Sequence, residues 1–96
     1  MSESRIQTSI ITWLKKSFPG SIVWKIHEDP VFGVSGIPDI YFAYDYQSLW
    51  FEVKTQEGRV SKLQQSRIKQ LKENGIKAFV VRSLEEVKEI VCIYGL

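Results

Sequence analysis

Residues 40–55 read IYFAYDYQSLWFEVKT, two runs of aromatic, aliphatic and β-branched side chains with only Asp45, Tyr46, Gln47 and Ser48 between them. Runs of this composition form strands, and so short a link can join only antiparallel neighbours. A hairpin of strands at 40–44 and 49–55 is therefore the feature around which the rest of the chain must fold. Along LWFEVKT, Leu49, Phe51 and Val53 point to one side and Trp50, Glu52 and Lys54 to the other. One face of the hairpin builds a core, and the other is wet.

The remaining elements fall into place around it. Ile6, Ile10, Trp13, Leu14 and Phe18 recur at helical spacing, and Pro19-Gly20 stops that helix. A strand at 22–27 follows (IVWKI), and then a loop, EDPVFGVSG, punctuated by Pro30, Gly33 and Gly36. Beyond the hairpin, QEGRV is a loop. Ser61 with Gln64 forms a capping box for a second helix that Asn74-Gly75 ends. Residues 76–81 make a fourth strand, and Ser83 with Glu86 caps a last helix carrying Leu84, Val87, Ile90 and Val91 on one side. The order α-β-β-β-α-β-α predicts an α/β (α+β) fold: a mixed central sheet flanked by helices, with an extra C-terminal helix.

Composition sets the bounds. With 96 residues, 44% hydrophobic and 25% charged, the chain has the profile of one globular domain, expected to span 1–96, with room for one core. A net charge of +2 does not identify a partner, although nine of the 13 basic residues lie between Lys54 and Lys88. That bias fits a polyanion and equally fits solvated helix faces. The single cysteine, Cys92, excludes an intramolecular disulfide and a cysteine-based zinc site, and among Ile90, Val91 and Ile93 it is expected to be buried. MSESRIQ is not a signal peptide, and no run reaches membrane-spanning length, so a cytoplasmic protein is expected.

An amphipathic strand with one wet face accounts for Glu52 and Lys54 taken alone. Asp39 adds information through register. If Tyr44 stands opposite Leu49, then Phe42 meets Phe51 and Asp39 meets Lys54. Asp39, Glu52 and Lys54 then share a face, with the two acids diagonal neighbours roughly 7–8 Å apart. A slip of one residue would move Asp39 to the other face. Gly36 and Pro38 read either as a strand-entry turn or as the means of holding Asp39 rigidly at the strand start.

Two converging carboxylates suit a hard cation. Mg²⁺ between Asp39 and Glu52, with the backbone carbonyl of Val53 as a further ligand, is the arrangement that phosphodiester hydrolysis uses to polarise a phosphate oxygen and acidify water. Lys54 would position that water or stabilise charge developing on the phosphate.

Gly36-Ile37-Pro38-Asp39 followed by Glu52-Val53-Lys54 resembles the signature of the PD-(D/E)xK nuclease superfamily. The fuller string resembles the VRR-NUC family, the virus-type replication–repair nucleases, more closely than it does restriction enzymes. IQTSIITWL, SGIPDI, FEVKTQEGRVSKLQ and AFVVRSLEEV carry the resemblance, in the order such domains use. It implies a restriction-endonuclease-like αβββαβ core and Mg²⁺-dependent DNA cleavage, with Mn²⁺ as a substitute. Asp39 and Glu52 are then metal ligands, Lys54 the catalytic lysine, and Gln64 an active-site residue as well as a cap. The family often adds an acid from the first helix. Here either Glu3 or Gln7 stands at that place, unless Gln7 caps Ser4. Stand-alone phage members of the family suggest a homodimer acting on four-way (Holliday) junctions or other branched DNA, within the host cytoplasm. No organic cofactor and no membrane partner are expected.

Further DNA contacts are expected from Lys25 and His27 at the end of the first strand, from Ser35, and from Arg59, Lys62 and Arg67 around the second helix start. Each is equally at home as a surface residue. Trp13, Trp24 and Trp50 are expected in the core or at an interface rather than as base-stacking platforms.

Overall fold

The computed structural model describes residues 1–27 and 34–96. The elements are α1 (Glu3–Ser17), β1 (Ile22–Lys25), β2 (Ile40–Tyr44), β3 (Gln47–Val53), α2 (Lys62–Glu73), β4 (Lys77–Val81) and α3 (Leu84–Ile93). This is the order expected from sequence. Of the loop expected at 28–36, residues 28–33 lie outside the described residues.

The strands form one mixed sheet in the order β1-β2-β3-β4. β1, β2 and β3 run antiparallel in succession, and β4 joins β3 in parallel. A parallel neighbour needs a crossover, and α2 supplies it. The core lies between one sheet face and α1 with α3. Ile6, Ile10 and Leu14 meet Ile40, Phe42, Leu49, Phe51, Val53 and Val81, with Val87 and Val91 completing the cluster. Each such side chain, fully withdrawn from water, contributes about 1.5–3 kcal/mol of transfer free energy. Phe18 seals one end, tilted against Phe42 and Tyr44 with centroids 5.4 and 5.2 Å away. On the other sheet face α2 packs against β4 and buries Ile68.

The hairpin departs from expectation in its turn. Strand pairing continues to Tyr44↔Gln47, with Ile40 opposite Phe51 and Phe42 opposite Leu49. Only Asp45 and Tyr46 form the turn, at φ 49° and 65°. A two-residue hairpin turn with both central residues left-handed matches the twist of the strands it joins, whereas the expected four-residue turn does not form. The register thus differs by two residues from the one expected. A shift of two keeps every side chain on its expected face.

One burial expectation fails. Cys92 is exposed: Val87 and Val91 take the inward stripe of α3, and the next residue, turned by the helical step, faces water. Of the tryptophans expected in the core or at an interface, Trp13 packs against the core and Trp50 is half-buried, while Trp24 is 58% exposed on the edge strand β1 and so lies outside the core. Ser2, not Ser4, caps α1, its hydroxyl accepting the Arg5 N–H at 3.2 Å. Ser4 lies inside the helix, so it cannot form a cap with Gln7. Among the described residues, no helix is long and apolar enough to cross a membrane.

Candidate active site

The site is assembled where β2 begins and β3 ends. Gly36 adopts φ +80°, and a Cβ there would lie 2.8 Å from Leu63 Cγ and 3.2 Å from Arg67 Cγ. Only glycine lets this segment turn left-handed and lie against α2. The Arg67 Nε donates to the Ser35 carbonyl at 3.0 Å and its Nη1 to Gln70 Oε1 at 3.1 Å, tying the segment down. Pro38 is fully buried, and its fixed φ delivers Asp39 to the start of β2.

Asp39 is held twice. Its carbonyl accepts the Ile26 N–H at 2.7 Å, extending the β1–β2 ladder. Its Oδ2 accepts the Val53 N–H at 2.7 Å. With Ile40 opposite Phe51, the residue reached by Asp39 is Glu52 rather than Lys54, so the acids are nearer neighbours than the expected diagonal.

Glu52 is 1% exposed, and it is the buried charged residue among those described. Its Oε2 accepts from Gln64 Nε2 at 3.3 Å and lies 3.8 Å from Lys54 Nζ. Its Oε1 is buried with no hydrogen-bond partner among the described residues. Burial pushes the carboxyl up to about 8, and the charge and hydrogen bond of Asp39 push the same way. Lys54 opposes the shift, and Glu3 adds to it. An ionised Glu52 is therefore disfavoured here even with Lys54 beside it.

Gln64 closes the expected capping box and also reaches Glu52. The Ser61 hydroxyl accepts the Gln64 N–H at 3.1 Å, and Gln64 Oε1 accepts the Ser61 N–H at 3.0 Å, closing the capping box. Committing Oε1 to the cap leaves Nε2 to reach Glu52. The helix start and the acid are coupled by one side chain.

Lys54 is held by main chain as well. Its N–H donates to the Val81 carbonyl at 3.0 Å, and its side chain is 12% exposed. Arg82, which sequence reasoning passed over, fastens the loop that follows. Its Nη1 donates to the carbonyls of Thr55, Gln56 and Gly58 at 2.6, 3.3 and 2.7 Å. Its place directly after β4, beside Val81, was the available signal.

Glu3, half-buried in the first turn of α1, is near enough for its charge to act on Glu52. Gln7, also half-buried, stands one turn further along the same helix side. Among the described residues, no three His, Cys, Asp or Glu side chains form a metal-holding group. The acid pair with its orphaned Oε1 instead suits Mg²⁺, which commonly takes one or two carboxylates and completes its shell with water and phosphate oxygens. Asp39 and Glu52 are the side chains that would hold it. The side chain of Val53 is buried in the core.

The predicted DNA-contact residues divide. Arg59 and Lys62 are exposed around the α2 start. Ser35 and Arg67 are engaged with each other. Lys25 pairs with the core residue Ile40, which puts it on the sheet face opposite Asp39 and Glu52. His27 is exposed just past β1.

A mixed sheet flanked by helices on both faces, with the buried Glu52 and the half-buried Asp39 at the mouth of its central hairpin, defines a nuclease-type DNA-processing fold. The VRR-NUC domain model matches residues 2–85, and the chain belongs to that family. The matched span contains Asp39, Glu52, Lys54 and Gln64. The fold is similar to that of a solved structure described as a VRR_NUC domain protein, at TM-score 0.73 and 24% identity, covering 98% of this chain and 88% of that one. A second, described as a VRR_NUC domain, gives TM-score 0.69 at 19% identity, covering 95% of this chain and 96% of that one. No curated protein matches the chain.

Proposed function

We propose that the protein is a Mg²⁺- or Mn²⁺-dependent, structure-selective endonuclease that hydrolyses phosphodiester bonds in branched DNA, four-way junctions among them. The observation that carries this is Glu52: a buried carboxylate against Asp39, with Lys54 and Gln64 on Oε2 and no cation or N–H donor on Oε1 among the described residues. A carboxylate so destabilised in its ionised form, with a second acid beside it, is suited to receiving a divalent cation.

Bound there, Mg²⁺ would supply Lewis acidity toward a phosphate oxygen and lower the pKa of water. The chain's own groups do the rest. The Val53 N–H fixes the Asp39 carboxylate, and the capped Gln64 fixes Glu52. Lys54 places an ammonium beside the acids, where it orients water and offsets negative charge growing on the phosphate. The α2 start, with Lys62 and Arg59 exposed around it, offers amide dipoles and cations to the DNA backbone. A homodimer would present two such sites to a symmetric junction, in the cytoplasm of the producing or infected cell.

The test is cleavage of a labelled four-way junction and of linear duplex with Mg²⁺, Mn²⁺ or EDTA. Junction cutting is expected with either metal and not with EDTA. Asp39→Ala, Glu52→Ala and Lys54→Ala should each lower it by at least about 100-fold, with circular dichroism unchanged. Persistent cutting by the Asp39→Ala protein would overturn the mechanism. Tight junction binding by the wild type without cutting in either metal would identify a non-catalytic DNA-binding module instead.

A further inference from the structure

The face that carries Asp39 and Glu52 continues into an aromatic surface. Trp50 lies two residues before Glu52 and Tyr41 two residues after Asp39, so both share the acids' face at a distance of about 7 Å along their strands. Trp24 stands opposite Tyr41, and Tyr41 opposite Trp50. Their ring centroids follow one another at 5.4 and 4.9 Å across β1, β2 and β3. Tyr41 has its hydroxyl bonded to Ser48 Oγ at 2.8 Å, which leaves its ring as its free surface.

Packing explains why this surface is open. The second helix covers β4 on this face, and the first and third helices cover the other. Tyr41 and Trp50 are only half-buried, and Trp24 at the sheet edge is 58% exposed. Over Trp50 the surface deepens into a cleft of about 280 Å³, with Pro38, Leu71 and Ile76 as apolar walls and Arg67 and Gln70 at its side. Three contiguous rings without an acid among them, a guanidinium beside the cleft, and direct continuity with the acid pair together describe a binding surface for flat apolar groups joined by anionic links.

We propose that this surface binds unpaired nucleobases of the strand being cut, one over Trp50 in the cleft and the next on the Tyr41–Trp24 shelf. A phosphate at the acid pair brings its adjoining base over Trp50, where stacking is possible only if that base has left the duplex. The inference rests on the nuclease reading and narrows its substrate to DNA with unpaired nucleotides beside the scissile bond. Stacking on aromatic side chains is insensitive to base identity, so the preference is for structure and not for sequence.

Binding of a fluorescent oligo-dT 20-mer and of a blunt 20-base-pair duplex, both in EDTA, tests it without requiring turnover. Trp24→Ala, an exposed edge substitution, should weaken oligo-dT binding about tenfold and duplex binding less than twofold. Tyr41→Phe, which keeps the ring, should bind as the wild type does, and Tyr41→Ser should lose affinity as Trp24→Ala does. Equal loss on both DNAs, or no loss on either, overturns the proposal. So does a change from dimer to monomer in Trp24→Ala by sedimentation, which would make the face a self-association surface. A wild type that binds oligo-dT through these rings yet never cuts would retain the stacking site and sink the nuclease reading. A protein that cuts junctions and is indifferent to Trp24 would do the reverse.

Discussion

Glu52 is withdrawn from water beside a second acid, with one ammonium at 3.8 Å. Holding the carboxyl near 8, against 4.5 for the free side chain, means that the folded metal-free protein keeps a proton the unfolded chain releases. The sign follows from linkage. The contribution is fully present below about 4.5 and is lost as pH rises toward 8, so this one group lowers metal-free stability across that window. The cost at the upper end is on the order of a few kcal/mol. Glu52→Gln retains the shape and removes the charge. In EDTA it should match the wild type near pH 4.5 and exceed it by a few kcal/mol at pH 8, as read by urea unfolding. Parallel loss of stability in both proteins would show that Glu52 is not under this strain. Its acidity was legible in the sequence and its burial was not, because α2, arriving from later in the chain, supplies the Gln64 contact. Cys92 errs the other way: apolar neighbours in sequence suggested burial, but helical phase decides which of them faces inward.

At the scale of the element, the hairpin shows how far alternation carries. It assigned Asp39, Glu52 and Lys54 to one face, and the strand pairing keeps that parity. It did not fix which residues are opposite, since a displacement by two leaves the alternation unchanged. The usual turn signals are also weak here. Asp45 tolerates a left-handed conformation, but Tyr46, at φ 65° and fully exposed, adopts it against preference and without compensating burial. Tyr46→Gly removes a steric cost of about 1–2 kcal/mol and restores some unfolded-state entropy, for a net gain of about 0.5–1 kcal/mol. Thermal unfolding should move up by several degrees. An unchanged or lower midpoint would mean that Tyr46 makes a contribution its exposure conceals. The Ser61–Gln64 capping box was easier to read, because both partners lie within one turn of sequence. The box expected at Ser83 forms by half: the Ser83 hydroxyl accepts the Glu86 N–H, but the Glu86 carboxylate accepts the Arg82 N–H instead of the Ser83 N–H.

The whole molecule places stability and the candidate site in opposition. The layer between the sheet and α1 with α3 is apolar throughout, whereas the other face holds the buried acid, the open aromatic rings and a helix burying only Ile68 among the described residues. Order of elements and the core were legible because each depends on local periodicity. The course of the aromatic surface was not, since it depends on how much of the sheet α2 leaves uncovered. If the acid pair receives Mg²⁺, the ion relieves the charge that the fold otherwise bears, and binding becomes folding free energy. At a concentration 100 times the dissociation constant, a ligand specific for the native state adds about 2.7 kcal/mol. For a domain of 96 residues this raises the melting temperature by roughly 10–20 °C. Because the proton on Glu52 competes with the metal, the rise at fixed Mg²⁺ should be larger at pH 8.5 than at pH 6. Asp39→Ala should lose most of it at both. Differential scanning fluorimetry across a Mg²⁺ series at the two pH values measures this without DNA or turnover. A rise that is independent of pH and intact in Asp39→Ala would place the bound ion elsewhere on the protein and detach Glu52 from metal chemistry.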